Sequence, residues 1–274
     1  MRIKTFIRYA LLNLAPCAIF QPLGMDIFVS GLPLMIQDLK LTEQSIQYLL
    51  IIFMIASSVP QLVMGPLSDR FGRKPIIVIG SLAFSVSSYL CTVTHSLMWL
   101  VIFRFFHGLS AATCLVVVYA IVRDIYHGSA SAKMYSYISC ILALTAMLAP
   151  LTGAAIMDYF QDWEASFKTL AIFALFALFV ILCFLPETHI KTKRQKQLFK
   201  LSVLQEVLST KNFWIFALSP TTAMTGLFLY FSIGSLILMT TLNLSSYLYS
   251  ILFGLNACFY LIGNYLSTVL ISKL

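Results

Sequence analysis

The amino-acid sequence predicts an all-α polytopic membrane protein, on two observations. Of its 274 residues, 60% are hydrophobic and only 10% are charged, whereas soluble domains carry about 25% charged residues. The chain is also divided into uncharged apolar runs that are far longer than the about 9 to 11 residues of a transmembrane β-strand. Because a backbone inside lipid must satisfy its own hydrogen bonds, these runs are expected to be helices.

Charged residues separate eight apolar segments of about 18 to 27 residues, each long enough for an α-helix to cross a bilayer core of about 30 Å. The predicted spans are residues 9–32, 45–65, 76–94, 98–122, 134–157, 168–186, 213–239 and 247–271. The division between the last two rests on the polar stretch 240–246 alone, since residues 212–272 carry no charge. Eight spans are therefore predicted.

The longest connection between spans divides the chain into two parts. Residues 187–212 contain the run KTKRQK at 191–196 and are predicted to be a cytoplasmic basic linker. Residues 1–186 then form a complete six-helix lobe, and residues 213–274 form a partial second lobe of two helices. The cations of the linker are interpreted as topological anchors that also attract anionic lipid headgroups.

The distribution of cations predicts the orientation in the membrane. With a cytoplasmic N-terminus, fifteen of the eighteen Lys and Arg residues fall on cytoplasmic segments. Only Lys40 and Lys168 fall outside, and Arg104 lies within a span. Because cytoplasmic loops carry an excess of cations, we expect a multi-pass protein of the inner (plasma) membrane with both termini in the cytoplasm.

Composition also argues against several function classes. The formal net charge of +8 does not indicate a nucleic-acid partner, because the cations lie between apolar runs and not on one basic face. All six cysteines stand singly in apolar segments, without the spacing of a metal site or a disulfide framework. No nucleophile and base pair or phosphate-binding loop is present, so neither an enzyme nor a metal or cofactor is expected.

The most specific motif is the segment GPLSDRFGRKP at residues 65–75, between spans two and three. It predicts a tight cytoplasmic turn in which one glycine permits a close backbone approach and a second permits a positive φ. An aspartate and three cations are expected to lock the neighbouring helix ends. The first glycine is Gly65 and the second is Gly72. The aspartate is Asp69, and the three cations are Arg70, Arg73 and Lys74.

This segment resembles the loop signature of the major facilitator superfamily, Gly-x-Leu-Ala-Asp-Arg-x-Gly-Arg-Lys, with serine in place of alanine. Residues 104–112, RFFHGLSAA, are similar to the family's Arg-x-x-Gln-Gly element, with His107 in place of the glutamine. Residues 149–153, APLTG, resemble the Gly-Pro-x-x-Gly antiporter motif of span five. Pro150 and Gly153 are kept there, but alanine replaces the first glycine.

Span one adds GMDIFVSGLP at residues 24–33, which is similar to the Asp-Met-Tyr-Leu-Pro-x-x-Pro region of the Bcr/CflA (bicyclomycin and multidrug resistance) drug:proton antiporters. The likeness extends over residues 20 to about 170. It implies the major facilitator fold and proton-coupled efflux of small amphipathic molecules by alternating access, with the proton gradient as the energy source and no cofactor. It also implies that Asp69, Arg73 and Asp124 form a gating charge cluster.

Two charged residues lie inside predicted spans, Asp26 in span one and Arg104 in span four. Buried charge is costly in a membrane and therefore indicates function. Both residues lie about 9 Å from the outer ends of their spans at 1.5 Å per residue, so they are expected to meet across a cavity. Asp26 is predicted to bind and release the coupled proton, and the alternative is a static ion pair between two helices. His107, one helical turn from Arg104, is expected to face the same region, for either proton transfer or hydrogen bonding.

The resemblance also implies twelve spans in two lobes of six. Because only two spans are predicted after the linker, four spans of the second lobe are missing. Three functions therefore stay open. The first is a proton-coupled exporter that is shortened at its C-terminus or completed by a second chain, with a small-molecule substrate, protons and the lipid bilayer as its partners. The second is a non-transporting remnant. The third is a membrane scaffold that uses the six-helix lobe for packing.

Overall fold

The computed structural model describes residues 10–188 and scattered residues between 205 and 255. Within residues 10–188 the chain forms eight α-helices and a 3-10 turn at Val29–Gly31. The helices are α1 (Ala10–Ala18), α2 (Phe20–Asp26), α3 (Leu32–Asp38), α4 (Glu43–Phe71), α5 (Arg73–Thr92), α6 (Leu97–Ile125), α7 (Ser129–Phe160) and α8 (Glu164–Phe184). In the C-terminal part, a short π-helical turn occupies Ile237–Thr241.

Six segments of the described chain are long and apolar enough to cross a membrane. They are Ala10–Asp38, Gln44–Phe71, Arg73–Thr92, Leu97–Ile125, Lys133–Phe160 and Glu164–Phe184. These segments match the first six predicted spans, which confirms an all-α polytopic membrane protein. Spans seven and eight and most of the linker fall largely on residues outside the described ones, so the count of eight spans and the division into lobes stay predictions.

Span 1, the segment Ala10–Asp38, is a series of short helices joined end to end. Pro16 lies inside α1, and α2 ends at Asp26. The 3-10 turn follows, and α3 begins with a proline in its first turn. Because proline removes a backbone donor and crowds the preceding turn, repeated prolines interrupt a helix. The interruption leaves Asp26 at a helix end in the interior of the bundle.

Local signals fix the ends of the longer helices. Thr42 caps the N-terminus of α4, where its Oγ1 accepts a hydrogen bond from the Ser45 amide at 3.2 Å. Gly72 separates α4 from α5 with a φ of 105°, which confirms the positive φ that the sequence predicts. The helix α7 ends at Phe160, and the next residue, Gln161, has a left-handed φ of 51°.

Helix α6 lies at the centre of the bundle and packs against α4, α5 and α2. Gly108 allows the closest of these contacts, because a Cβ at that position would collide with the carbonyl group of Phe53 on α4. Small residues at membrane helix interfaces let backbones approach in this way. Large apolar side chains such as Ile79 and Leu82 on α5 and Phe176 and Phe179 on α8 are exposed, as expected for faces that meet lipid.

Candidate functional site

Arg104 lies fully buried on α6 and joins three elements of the bundle. Its Nη1 donates hydrogen bonds to the carbonyl oxygen of Gly24 at 2.8 Å and to Nδ1 of His107 at 3.0 Å. Its Nε donates to the carbonyl oxygen of Leu49 on α4 at 3.4 Å. The guanidinium therefore ties α6 to α2 and α4 through backbone oxygens, which carry no net charge.

Aromatic rings enclose the same guanidinium. Its central carbon lies 4.2 Å from the ring centroid of Phe28 and 4.4 Å from that of Phe53. The ring of Phe167, on α8, lies 5.8 Å away. Ring faces attract cations, and the attraction strengthens when water is excluded. This enclosure stabilises a buried cation that forms no ion pair with a carboxylate of the described residues.

Asp26 is also buried, with 6% of its surface exposed. The sequence predicts that Asp26 and Arg104 meet, but the two form no ion pair within 4.0 Å, although both belong to the described residues. Arg104 contacts Gly24 and Phe28 instead, each two residues from Asp26. The side chain of Asp26 makes no hydrogen bond or ion pair to another described residue. A static Asp26–Arg104 pair is therefore absent from this conformation.

His107 faces Arg104, as the helical spacing predicts. Its Nε2 lies 2.9 Å from the Oγ of Ser88 on α5. The imidazole packs on the ring of Phe84 at a centroid distance of 4.2 Å. Asp26, Arg104 and His107 are hereafter called the central site. Ser88, Phe28 and Phe167 were missed by the sequence analysis, because apolar and hydroxyl side chains inside spans have no distinguishing local pattern.

A second group of charges lies where α4 and α6 end and α5 begins. Arg73 forms ion pairs with Asp69 and with Asp124, and its Nε lies 2.8 Å from Oδ2 of Asp124. Arg123 lies 3.7 Å from Asp69. These four residues are hereafter called the turn cluster. The structure thus brings together Asp69, Arg73 and Asp124, which the family resemblance had grouped.

Glu187 joins the turn cluster from the end of the six-helix segment. Its Oε1 accepts a hydrogen bond from the backbone N–H of Arg73 at 3.0 Å. This bond satisfies one of the free donors at the N-terminus of α5. The sequence analysis assigned Glu187 only to the linker, because 114 residues separate the two partners.

The remaining residues of the turn motif have separate positions. Lys74 donates to the carbonyl oxygen of Leu182 at 3.1 Å, near the C-terminus of α8, where cations are favoured. Arg70 lies over the ring of Phe71 at 5.3 Å. The expected close approach at Gly65 is wrong for the described part of the chain, because a Cβ there would meet nothing within 4 Å.

The antiporter-like motif of α7 packs against span 1. A Cβ at Gly153 would collide with the carbonyl oxygen of Ile27, next to Asp26. The carbonyl oxygen of Pro150 accepts hydrogen bonds from Ser30 at 2.8 Å and from Ser250 at 2.9 Å. Pro150 and Gly153 therefore hold α7 against the interrupted part of span 1 and against a residue of the C-terminal part.

A bundle of membrane-spanning helices with charges buried inside it and a charge cluster at its helix ends is typical of a polytopic membrane transporter. The family model described as Major Facilitator Superfamily matches residues 14–274. The chain belongs to the Major Facilitator Superfamily, as its motifs predict. Membership of a transporter family also agrees with the prediction that the chain is not an enzyme.

Two curated relatives are about 30% identical in sequence to this chain. The chain is 32% identical over 252 residues to the Chloramphenicol resistance protein of Pseudomonas aeruginosa. The aligned region covers 90% of this chain and 59% of that protein. The chain is 28% identical over 253 residues to the Multidrug resistance protein MdtL of Shewanella oneidensis, which covers 92% of this chain and 63% of that protein. The chain thus spans about three fifths of the length of these relatives.

Solved structures share the fold. A bacterial homolog of the human lysosomal transporter Spinster, in an inward-facing and occupied conformation, matches with a TM-score of 0.76 at 16% identity, over 95% of this chain and 60% of that one. The D-xylose-proton symporter matches with a TM-score of 0.64 at 16% identity, over 98% of this chain and 70% of that one. Likeness at this identity concerns the fold alone, and it confirms the predicted major facilitator fold.

Proposed function

We propose that this chain acts in the proton-coupled efflux of small amphipathic molecules, as a member of the Bcr/CflA branch of the superfamily. The observation that carries the proposal is Asp26, an acidic side chain buried in the bundle without a hydrogen bond or ion pair to another described residue. The names of the relatives, which refer to chloramphenicol and multidrug resistance, support the substrate class.

A buried carboxylate suits proton coupling for an electrostatic reason. An ionised carboxylate without a partner is costly in an apolar interior, and the binding of a proton removes that cost. Arg104 is held nearby by Gly24 and Phe28, on either side of Asp26 in the chain. The aspartate can therefore gain or lose a proton while the neighbouring cation keeps its own hydrogen bonds.

Competition between a proton and a substrate at the central site would couple their movements. A substrate that needs the ionised or rearranged form of Asp26 displaces its proton, and protonation releases the substrate. In alternating access, one lobe rocks against the other around such a site near the middle of the membrane. The proton gradient across the inner membrane then drives export, with both termini in the cytoplasm.

The turn cluster is proposed to stabilise one of the two access states. Arg73 links the end of α4, the end of α6 and Glu187 after α8. Its side chain is 1% exposed, whereas Asp69 and Asp124 are 22% and 15% exposed. A movement of these helix ends against each other requires ion pairs to break, so the cluster favours the conformation in which they are formed.

Reconstitution of the full chain tests this function. Liposomes that contain the chain are loaded with chloramphenicol, and efflux is measured with and without an imposed pH gradient. Gradient-dependent efflux that disappears in Asp26→Asn supports the proposal. The matched control is Asp158→Asn, which changes an exposed acid at the end of α7. Absence of gradient-dependent efflux from the unsubstituted chain, or undiminished efflux in Asp26→Asn, contradicts it.

A further inference from the structure

The two ring nitrogens of His107 have different neighbours. Nδ1 lies 3.0 Å from Nη1 of Arg104, one turn earlier on α6. Nε2 lies 2.9 Å from Oγ of Ser88 on α5. Both contacts are within hydrogen-bond distance, and His107 and Ser88 are both fully buried. Each nitrogen therefore needs a defined role as donor or acceptor.

Arg104 decides these roles, because a guanidinium has only donors. Nδ1 must accept from Nη1, and a neutral imidazole then carries its proton on Nε2. Nε2 consequently donates to Ser88. The hydroxyl hydrogen of Ser88 is free to donate to the carbonyl oxygen of Phe84, which lies 2.7 Å away. One directed series of hydrogen bonds thus runs from Arg104 through His107 and Ser88 to the backbone of α5.

The other two states of the ring do not fit this arrangement. A proton on Nδ1 would point at an N–H of Arg104, and neither group could accept. An imidazolium would add a second positive charge 3.0 Å from the guanidinium, in surroundings that contain the rings of Phe84 and Phe53. Asp26 on α2 and Cys91 on α5 are buried titratable side chains on elements that pack against α6. Neither has a hydrogen bond to His107.

We propose that His107 is a permanently neutral hydrogen-bond acceptor that positions Arg104, and is not a carrier of the transported proton. By holding Nη1, it keeps Arg104 directed at the carbonyl oxygen of Gly24, two residues before Asp26. His107 is thus a positioning residue for the central site. Its relevance to transport rests on the proposed function, but its protonation state does not.

Nitrogen-15 NMR of the histidine-labelled 274-residue chain in lipid nanodiscs tests the proposal without any transport assay. The chain has only four histidines, and His107→Gln assigns the signal of His107. We expect an unprotonated Nδ1 and a protonated Nε2 at every pH between about 5 and about 8. The exposed His95 and His127 give reference histidine signals in the same sample. An imidazolium signal from His107 in this range, or a proton on Nδ1, overturns the proposal.

Two substitutions test the positioning role. His107→Gln keeps an acceptor oxygen for Nη1, whereas His107→Leu fills similar volume without one. We expect the midpoint of thermal unfolding to fall by several degrees in His107→Leu and to be largely restored in His107→Gln. Equal midpoints in the two variants overturn the positioning role. If efflux fails while the NMR result holds, the proposed function falls and the assignment of His107 stands.

Discussion

Nη1 of Arg104 lies 2.8 Å from the carbonyl oxygen of Gly24, and this hydrogen bond joins the centre of α6 to the interrupted part of span 1. The guanidinium of Arg104 donates to this backbone carbonyl oxygen and forms no ion pair with the carboxylate of Asp26. Asp26 therefore shares none of the hydrogen bonds of Arg104. In the proposed function, this separation lets Asp26 gain or lose a proton while Arg104 keeps its hydrogen bonds.

Lysine is not expected to replace the hydrogen bonds of the Arg104 guanidinium. Arg104→Lys keeps the positive charge, but a single ammonium group cannot reach Gly24, Leu49 and His107 in the geometry of the guanidinium. Hydrogen bonds from charged groups contribute about 1.5 to 3 kcal/mol each. We expect a lower thermal midpoint in nanodiscs, and a midpoint equal to that of the parent chain would contradict the geometry of the site.

Close packing of α6 on α4 is expected to depend on Gly108. Gly108→Ala places a Cβ against the carbonyl group of Phe53, so the helices must separate, with a loss of about 1 to 3 kcal/mol of stability. Gly65→Ala is the matched control, because a Cβ there meets nothing within 4 Å in the described part. Thermal unfolding of the two variants measures the difference. Equal destabilisation would show that α4 and α6 pack differently.

The ion pairs of the turn cluster are expected to differ in strength. Arg73→Gln leaves Asp69 and Asp124 without their shared cation. Because the arginine side chain is buried, we expect a loss of about 1.5 to 3 kcal/mol, which is typical of a hydrogen bond between charged groups. Arg123→Gln removes a pair at 3.7 Å whose cation is 64% exposed, for which about 0 to 1 kcal/mol is typical. Thermal unfolding of the two variants in the same lipid compares their losses of stability. A larger effect from Arg123→Gln would refute the ranking.

The contact of Glu187 with α5 is expected to protect the start of that helix. Glu187→Leu removes the acceptor of the Arg73 amide, a loss of about 1 kcal/mol that is typical of a helix cap. Glu187→Gln retains an acceptor oxygen and serves as the control. Hydrogen exchange by mass spectrometry should show faster exchange at the start of α5 in the leucine variant only. Unchanged exchange in that variant would exclude a capping role.

The sequence predicted six spans in the described part of the chain because charged residues mark their ends and lipid requires helices between them. It did not locate the interruptions of span 1. Pro22, Gly24 and Pro33 were visible, but membrane helices also tolerate these residues without a break when neighbours satisfy the backbone. Whether span 1 is interrupted depends on how α6 and α7 pack against it. A local sequence pattern does not show that packing.

The sequence predicted that Arg104 and Asp26 lie close together and meet, but the two side chains form no ion pair with each other in the described part of the chain. Counting residues at 1.5 Å each placed Arg104 level with Asp26, and Arg104 does contact Gly24 and Phe28 beside it. A residue count gives the height of a side chain in the membrane but not the direction in which it points across the bundle. Contacts over large sequence separations, such as Arg73 with Glu187, are hidden for the same reason.

Competition between a proton and a substrate at Asp26 is the central claim of the proposed function. Chloramphenicol is titrated into the solubilised 274-residue chain in a weakly buffered solution, and both binding and proton release are recorded. We expect binding to release protons, and we expect Asp26→Asn to bind chloramphenicol without releasing any. Binding without proton release, or equal release from Asp26→Asn, would contradict it.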